Sequence, residues 1–103
     1  MTHPKGIIGA GTMGSGIAHV FALAGCEVIL YDIAEEALRR GVERIGEALA
    51  AGARKGKHTP KEASAAQGRI RTTSVLERCS PCDVVIEAAV ERLDTKQDLF
   101  RRL

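Results

Sequence analysis

Residues Lys5–Ala18, KGIIGAGTMGSGIA, decide the fold of this chain. The apolar pair Ile7 and Ile8 leads into a glycine-rich turn, Gly9–Gly14, and the residues beyond it take up helical spacing. Three glycines in the order G-x-G-x-x-G, placed between a strand and a helix, are typical of a nucleotide-binding strand–turn–helix. The stretch therefore predicts an α/β fold that begins with a buried strand.

Each glycine of this motif has its own physical role. A side chain at Gly9 would obstruct the tight turn out of the strand. A side chain at Gly11 would hold a pyrophosphate away from the backbone, and one at Gly14 would separate the helix from the strand. The N–H groups of the first helical turn then face the phosphates, where the helix dipole favours negative charge. The alternative is a glycine turn with a purely structural role, which the motif alone does not exclude.

The residues that follow favour nucleotide binding. A helical pattern runs to Gly25, a predicted stop, and Val28–Tyr31 indicates a buried strand that ends at Asp32. A carboxylate at the tip of this strand can accept hydrogen bonds from both hydroxyls of an adenosine ribose, and it would repel a 2′-phosphate. The next residue is Ile33 rather than an arginine that could bind such a phosphate. The sequence therefore predicts NAD, not NADP, as the cofactor.

Length and composition limit the other functions. The 103 residues suffice for one domain, and we expect an incomplete Rossmann-type doubly wound parallel sheet, because the complete fold has six strands. Two Phe, one Tyr and no Trp argue against a platform for stacking nucleic-acid bases. A formal net charge of +2 is too small to predict a nucleic-acid or membrane surface.

An export signal is the alternative interpretation of the first residues, because Leu23–Cys26 resembles a lipidation site. A signal core is a continuous apolar run, whereas four glycines and His19 interrupt this one. The glycine motif explains the same residues better, so we expect a cytoplasmic protein.

A long amphipathic helix is predicted over residues 34–53. Its apolar stripe is spaced by three and four residues and consists of Leu38, Val42, Ile45 and Leu49. A basic run at 52–58, which includes Lys55, follows between glycines. Cations are common at helix C-termini because they complement the dipole. The alternative is a contact with a phosphate group of an anionic substrate.

Shorter elements complete the predicted chain. Thr59, followed by a proline, predicts the N-cap of a short helix that stops at Gly68. The later patterns predict, in order, an edge strand at 70–73, a helical turn at 74–78, a strand at 83–88 and a helix from about Leu93. The strand at 83–88 is a continuous apolar run, which is expected when both faces of a strand are covered.

The strands are expected to form a parallel sheet in the order 3-2-1-4. Because ligands of open α/β sheets lie at the carboxyl ends of the strands, Gly9, Asp32 and Ala88 should converge on one site. The strand at 83–88 would be left as an apolar edge, and such edges pair with other chains. The sequence thus predicts self-association through this strand, marginal stability, or a longer gene product.

Cys79 and Cys82 have the C-x-x-C spacing of a redox pair or of half a zinc site. A redox pair would place its first cysteine at a helix N-terminus, whereas this segment leads into a strand. Cys26 and the three histidines form no second pair at metal spacing. We therefore expect reduced thiols and no metal site, with a thiol redox protein as the least favoured alternative.

Two blocks of the sequence resemble the NAD-binding domain of the L-3-hydroxyacyl-CoA dehydrogenases. They are IGAGTMGSGIA at 8–18 and DVVIEAAVERLDTKQDLFRRL at 83–103, and the resemblance spans essentially the whole chain. A Rossmann domain of another family would share the glycines but not the second block. The resemblance implies NAD(H) as the cofactor and an acyl-CoA as the substrate of the full-length family.

The resemblance also implies roles for individual residues. The residues implied to contact the dinucleotide are Gly9, Gly11, Thr12, Met13, Gly14, Asp32, Ala88, Glu91 and Lys96. Asp32 would bind the adenosine ribose, and the last three would lie along the nicotinamide half. Lys55 corresponds to a lysine that contacts coenzyme A, but a serine that assists in some members is replaced here by Ala48.

The family oxidises the 3-hydroxyl of an acyl-CoA: hydride passes from C3 to the nicotinamide while a histidine, held by a glutamate, removes the hydroxyl proton. His3, His19 and His58 do not match that histidine, so we predict no catalytic residue in this chain. Residues 1–103 are expected to be the N-terminal part of the NAD-binding domain, inactive alone, without the rest of that domain and the helical substrate domain. The alternative is a stand-alone module that binds or senses NAD.

Overall fold

The computed structural model describes residues 3–88, which form a parallel sheet and the helices that connect its strands. The elements in chain order are β1 (Lys5–Ile8), α1 (Thr12–Leu23), β2 (Val28–Tyr31), α2 (Glu35–Arg54), α3 (Pro60–Gly68), β3 (Ile70–Thr73), a 3₁₀ turn (Leu76–Cys79) and β4 (Val84–Glu87). The helix predicted from about Leu93 lies outside the described residues. No helix within 3–88 is long and apolar enough to cross a bilayer.

The four strands lie in the order β3-β2-β1-β4, and all three pairs are parallel. This confirms the predicted sheet. The register aligns the last residues of the strands, because Ile8 is paired with Tyr31 on one side and with Glu87 on the other. The carboxyl ends of the strands therefore meet at one edge of the sheet.

Glycines end the first two helices. After α1, Gly25 has a φ of +98°, and its N–H donates to the Ala22 carbonyl at 3.1 Å. The next N–H, of Cys26, donates to the Phe21 carbonyl at 3.0 Å, which completes a Schellman motif. Gly56, with a φ of +76°, follows α2 in the same way. The predicted stop at Gly25 is confirmed.

The predicted N-cap of α3 is also confirmed. The Thr59 hydroxyl accepts a hydrogen bond from the Glu62 N–H at 3.0 Å, and the Glu62 carboxylate accepts one from the Thr59 N–H at 2.8 Å. This reciprocal pair is a capping box, which satisfies two N–H groups that the helix cannot bond internally.

The core lies between the sheet and α1–α3. These helices contact one another, as expected when two successive crossovers of the usual right hand run in one direction and place them on one face. The largest fully buried side chains are Ile7, Val28, Leu30, Ile45 and Leu49. On α2 the buried stripe includes glycines at 41 and 52, whereas Val42, predicted as part of it, is only half-buried.

The expectation that β4 is covered on both faces is wrong for the described residues. Val84 is 42% exposed and Val85 is 52% exposed. β4 is an edge strand that pairs with β1, and the helices of residues 3–88 lie over the other strands of the sheet. Its apolar run therefore leaves valine side chains at the surface.

Candidate nucleotide-binding site

The predicted site residues of the first, second and fourth strands converge at the carboxyl edge of the sheet. The Gly9 N–H donates to the Tyr31 carbonyl at 2.7 Å, and the Ala88 N–H donates to the Ile8 carbonyl at 2.8 Å. These bonds continue the strand ladders into the loops, so the glycine turn lies between the ends of β2 and β4. The turn is held from both sides.

Gly9 and Gly14 have the geometry that their predicted roles require. Gly9 has a φ of +106°, a conformation that residues with a side chain rarely adopt. A Cβ added at Gly14 would overlap the Gly9 carbonyl oxygen. The first turn of α1 therefore packs directly on the end of β1, as only a glycine allows.

The N-terminus of α1 suits an anion. Its N-cap is Gly11, which has no side chain that could accept a hydrogen bond from the first turn, and the first turn of this helix contains no acidic residue. Thr12 and Met13 are exposed beside it. The buried Ser15 hydroxyl turns back to donate to the Gly11 carbonyl at 2.8 Å. The positive end of the helix dipole therefore meets solvent without a charged group of its own helix to cancel it.

Asp32 lies next to the glycine turn and has a structural role that the sequence analysis missed. The residue is 4% exposed, and one carboxylate oxygen accepts a hydrogen bond from the Ala10 N–H at 3.0 Å. The other oxygen accepts one from the Ala34 N–H at 2.9 Å. An aspartate that bonds the N–H two residues on is a common turn device, so the Ala34 contact had a sequence signal. The Ala10 contact depends on how the chain folds, so the sequence carried no signal of it.

The remaining predicted residues do not all reach this site. The Ala88 side chain is fully buried against the start of α1, so a ligand could meet only its backbone. Glu91 and Lys96 lie outside the described residues. Lys55 is exposed at the C-cap of α2, and the helix has 20 residues, so about 30 Å separates Lys55 from Asp32.

Ala48 and Lys55 lie on one face of α2, because they are seven residues, or two turns, apart. Ala48 lines a small groove between α1 and α2 together with Ser15, His19 and Arg44. The face of α2 implied to contact coenzyme A therefore borders α1 and leads away from the glycine turn.

His58 and His19 are packed against the helices, whereas His3 is exposed. The His58 ring occupies the space that Gly52 leaves on α2, and its Nε2 lies 2.8 Å from the Leu49 carbonyl oxygen. Burial lowers the pKa of His19, and the charge of His58 lowers it further. Within residues 3–88 the His19 Nε2 is buried without a hydrogen-bond partner.

The two C-x-x-C thiols have none of the features of an activated pair. Cys79 ends the 3₁₀ turn and Cys82 precedes β4, and both are free thiols. Burial raises the pKa of the Cys79 thiol and of the Cys82 thiol, so neither thiolate is stabilised. Across residues 3–88 no three His, Cys, Asp or Glu side chains are grouped closely enough to hold a metal ion.

Arg44 and Gly41 are two further residues at the turn that the sequence analysis did not single out. Arg44 Nη1 donates to the Ala10 carbonyl at 3.2 Å, and Gly41 lies against the same carbonyl. A glycine in a helix interior is about 1 kcal/mol less favourable than alanine, so Gly41 on the buried stripe was a signal of close approach. Arg44 carried no comparable signal.

Comparisons with known proteins agree with this geometry. The family model described as "3-hydroxyacyl-CoA dehydrogenase, NAD binding domain" matches residues 5–103. The 3-hydroxybutyryl-CoA dehydrogenase of Bradyrhizobium diazoefficiens is 42% identical over 98 residues, which are 95% of this chain and 33% of that protein. The 3-hydroxyadipyl-CoA dehydrogenase of Escherichia coli is 41% identical over 97 residues, which are 94% of this chain and 20% of that protein.

The solved structure of a 3-hydroxybutyryl-CoA dehydrogenase is also similar to this chain. The (S)-3-hydroxybutyryl-CoA dehydrogenase of Ralstonia eutropha superposes with a TM-score of 0.84 at 34% identity, over 99% of this chain and 36% of that one. The chain thus spans about a third or less of the length of these relatives. The family model covers nearly all of it and confirms NAD as the predicted cofactor. The chain belongs to the 3-hydroxyacyl-CoA dehydrogenase family, in which it corresponds to the NAD-binding domain.

Proposed function

We propose that this chain is the dinucleotide-binding part of an enzyme that oxidises L-3-hydroxyacyl-CoA to 3-ketoacyl-CoA in fatty acid metabolism. One observation carries the proposal: an α-helix without a side-chain cap begins on the strand end at Gly9, and Asp32 lies beside that turn. A pyrophosphate needs N–H donors and positive potential, and an adenosine ribose needs an acceptor pair nearby. The glycine turn and Asp32 offer these groups together.

The bound NAD would supply the hydride acceptor, and the residues of this chain would hold it. The backbone at Gly11–Gly14 binds the pyrophosphate, with Thr12 and Met13 flanking it. Asp32 accepts hydrogen bonds from the ribose hydroxyls. On the resemblance alone, we extend the nicotinamide half of the site to Ala88, Glu91 and Lys96.

We further propose that Lys55 contacts a phosphate of coenzyme A. It is an exposed cation at the end of α2, and an ammonium there can bind a phosphate as a point charge. The resemblance implies an assisting serine in some members, and Ala48 has no hydroxyl, so we expect a weaker contact in this chain.

We assign residues 1–103 to the N-terminal part of the NAD-binding domain and expect no turnover of 3-hydroxyacyl-CoA by this chain alone.

The cofactor assignment is tested by calorimetry of the purified chain with NADH and with NADPH. The wild-type chain should bind NADH at least about tenfold more tightly, because a hydrogen bond to a charged group contributes roughly 1.5–3 kcal/mol. The D32N variant should lose most of this preference.

Asp83→Asn is the matched control. Asp83 is an exposed acid that pairs with Lys5 at 2.9 Å at the opposite end of the sheet, so its loss should leave both affinities unchanged. Equal binding of NADH and NADPH by the wild-type chain would contradict the assignment of Asp32. Binding of neither would contradict the proposed function itself.

Two further expectations belong to the proposal. The exposed valines of β4 support self-association through residues 83–88.

The three free cysteines support a reducing compartment, and we place the protein in the cytoplasm. Cell fractionation that recovers the protein from the membrane or from outside the cell would contradict this placement.

A further inference from the structure

We propose that Arg44 is a positioning residue for dinucleotide binding, because it sets the orientation of the peptide group that joins Ala10 to Gly11. The proposal rests on the proposed function, since the peptide lies in the turn that would hold the pyrophosphate. It concerns a residue of α2 that is remote in sequence from the glycine motif.

Contacts on both sides hold residue 10 of the turn. On one side its N–H donates to the Asp32 carboxylate at 3.0 Å. On the other side its carbonyl accepts a hydrogen bond from Arg44 Nη1 at 3.2 Å. A Cβ added at Gly41 would lie 2.8 Å from this carbonyl oxygen, so the missing side chain lets α2 come close enough for the arginine to reach. Gly41 and Arg44 are one helical turn apart and therefore act on the same face of α2.

The carbonyl contact determines where the next N–H points. A trans peptide group is planar, and its C=O and N–H point in opposite directions. Because the Ala10 carbonyl is directed at α2, the N–H of Gly11 is directed away from α2. Gly11 is the N-cap of α1, so this N–H leads the series of donors in the first helical turn. Rotation of the Ala10–Gly11 peptide would turn the Gly11 N–H away from the other N–H donors of the first turn of α1.

Arg44 differs from the neighbouring arginines of α2. Arg39 and Arg40 both pair with the exposed Glu36, and Arg39 pairs with Glu43 as well. Arg44 is half-buried and forms no ion pair with any described residue within 3–88. Its guanidinium therefore brings to the turn a positive charge that no carboxylate of α2 pairs with. Charge alone would attract a pyrophosphate, whereas positioning requires a donor at this carbonyl, and the state of the Ala10–Gly11 peptide in the ligand-free chain separates the two.

The test compares R44M, R44K and the wild-type chain in their binding of NADH, ADP-ribose and adenosine. R44M keeps much of the apolar side chain but has no donor. It should bind NADH and ADP-ribose about tenfold more weakly, which corresponds to the loss of one hydrogen bond. Adenosine has no pyrophosphate and should bind R44M as it binds the wild type. R44K keeps a charge and a donor and should recover part of the loss.

The matched control is R40M, which removes an arginine from the exposed face of the same helix and should leave all three affinities unchanged. Equal weakening of adenosine and ADP-ribose in R44M would overturn the proposal, because it would indicate general damage to the fold. Unchanged ADP-ribose binding in R44M would overturn it as well. Recovery of ADP-ribose binding in R44K, with nuclear magnetic resonance signals of Ala10 and Gly11 that stay as in R44M, would identify charge, and not positioning, as the contribution of Arg44, and would also overturn it.

Nuclear magnetic resonance of the ligand-free chain tests the peptide orientation independently of binding. The Ala10 carbonyl carbon and the Gly11 amide should shift in R44M and remain in place in R40M. Unchanged signals in R44M would overturn the proposal even if the chain bound no dinucleotide. A wild-type chain that binds no NADH, with Ala10 and Gly11 signals that respond to R44M, would instead locate the failure in the proposed function.

Discussion

A single methyl group at residue 14 should decide whether this domain forms. In G14A the new Cβ would overlap the Gly9 carbonyl oxygen, and neither backbone segment can move without breaking the sheet ladder. We expect a loss of stability of about 3 kcal/mol or more, at the upper end of the cost of overpacking. Urea denaturation followed by circular dichroism measures this loss.

Gly16 provides the control for this prediction. It lies in the same helix, and an added Cβ there meets no atom beyond the local backbone of that helix within 4 Å. G16A should therefore raise the stability by up to about 1 kcal/mol, because alanine is the better helix former. Equal unfolding midpoints for G14A and G16A would contradict the close contact between α1 and the end of β1.

At the residue scale, the sequence predicted those positions whose role is local. Gly9 and Gly14 follow from the motif, because the turn and the helix start within a few residues of each other. The contacts of Asp32 and Arg44 with residue 10 span 22 and 34 residues of the chain. They could not be predicted, because they depend on how α2 and the strand ends approach the turn.

At the scale of the helices, His19 should make the fold sensitive to acid. Burial and the charge of His58 lower its pKa below the ordinary value of 6.5. The unfolded chain therefore takes up a proton at a higher pH than the folded chain does. Since the unfolded state binds more protons in this window, the stability should fall as the pH drops below about 6.5.

Melting temperatures at about pH 7.5 and pH 5.5 test this prediction. The decrease in melting temperature from about pH 7.5 to about pH 5.5 should be smaller in H19Q than in the wild type. His3 is exposed at the start of the described chain, and H3Q should keep the wild-type decrease. A decrease in H19Q as large as in the wild type would show that another group causes the acid sensitivity.

Element boundaries were predictable where a cap marks them. Gly25 and Thr59 were recognised from sequence because a Schellman glycine and a capping box are formed by neighbouring residues. The helical turn expected at 74–78 is a 3₁₀ turn at Leu76–Cys79. The exposure of β4 was missed because an apolar run indicates a strand but does not say which other elements cover it.

At the scale of the whole molecule, the open edge of the sheet should control association. Val85 is 52% exposed on β4, and V85K would place a charge there, which disfavours pairing of edges. Analytical ultracentrifugation should show fewer dimers or larger species for V85K than for the wild type. V20K changes an exposed valine on α1 and should associate as the wild type does. A wild-type chain that is monomeric at high concentration would contradict self-association through β4.

The order of the sheet was predictable at this scale because parallel strands with right-handed connections permit few arrangements. The site at the carboxyl edge followed from the same rule. The approach of α2 to the glycine turn could not be predicted, because Gly41 signals a close approach but the sequence does not reveal which segment comes close to it.

The contacts of Asp32 with the backbone of Ala10 and Ala34 have a consequence for redesign of this protein. A change of preference from NAD to NADP would start with replacement of the acid at the end of the second strand, because its charge repels a 2′-phosphate. Here such a replacement would strip the N–H groups of Ala10 and Ala34 of their acceptor. A useful NADP-selective design would therefore need substitute acceptors for both groups, introduced alongside any new arginine.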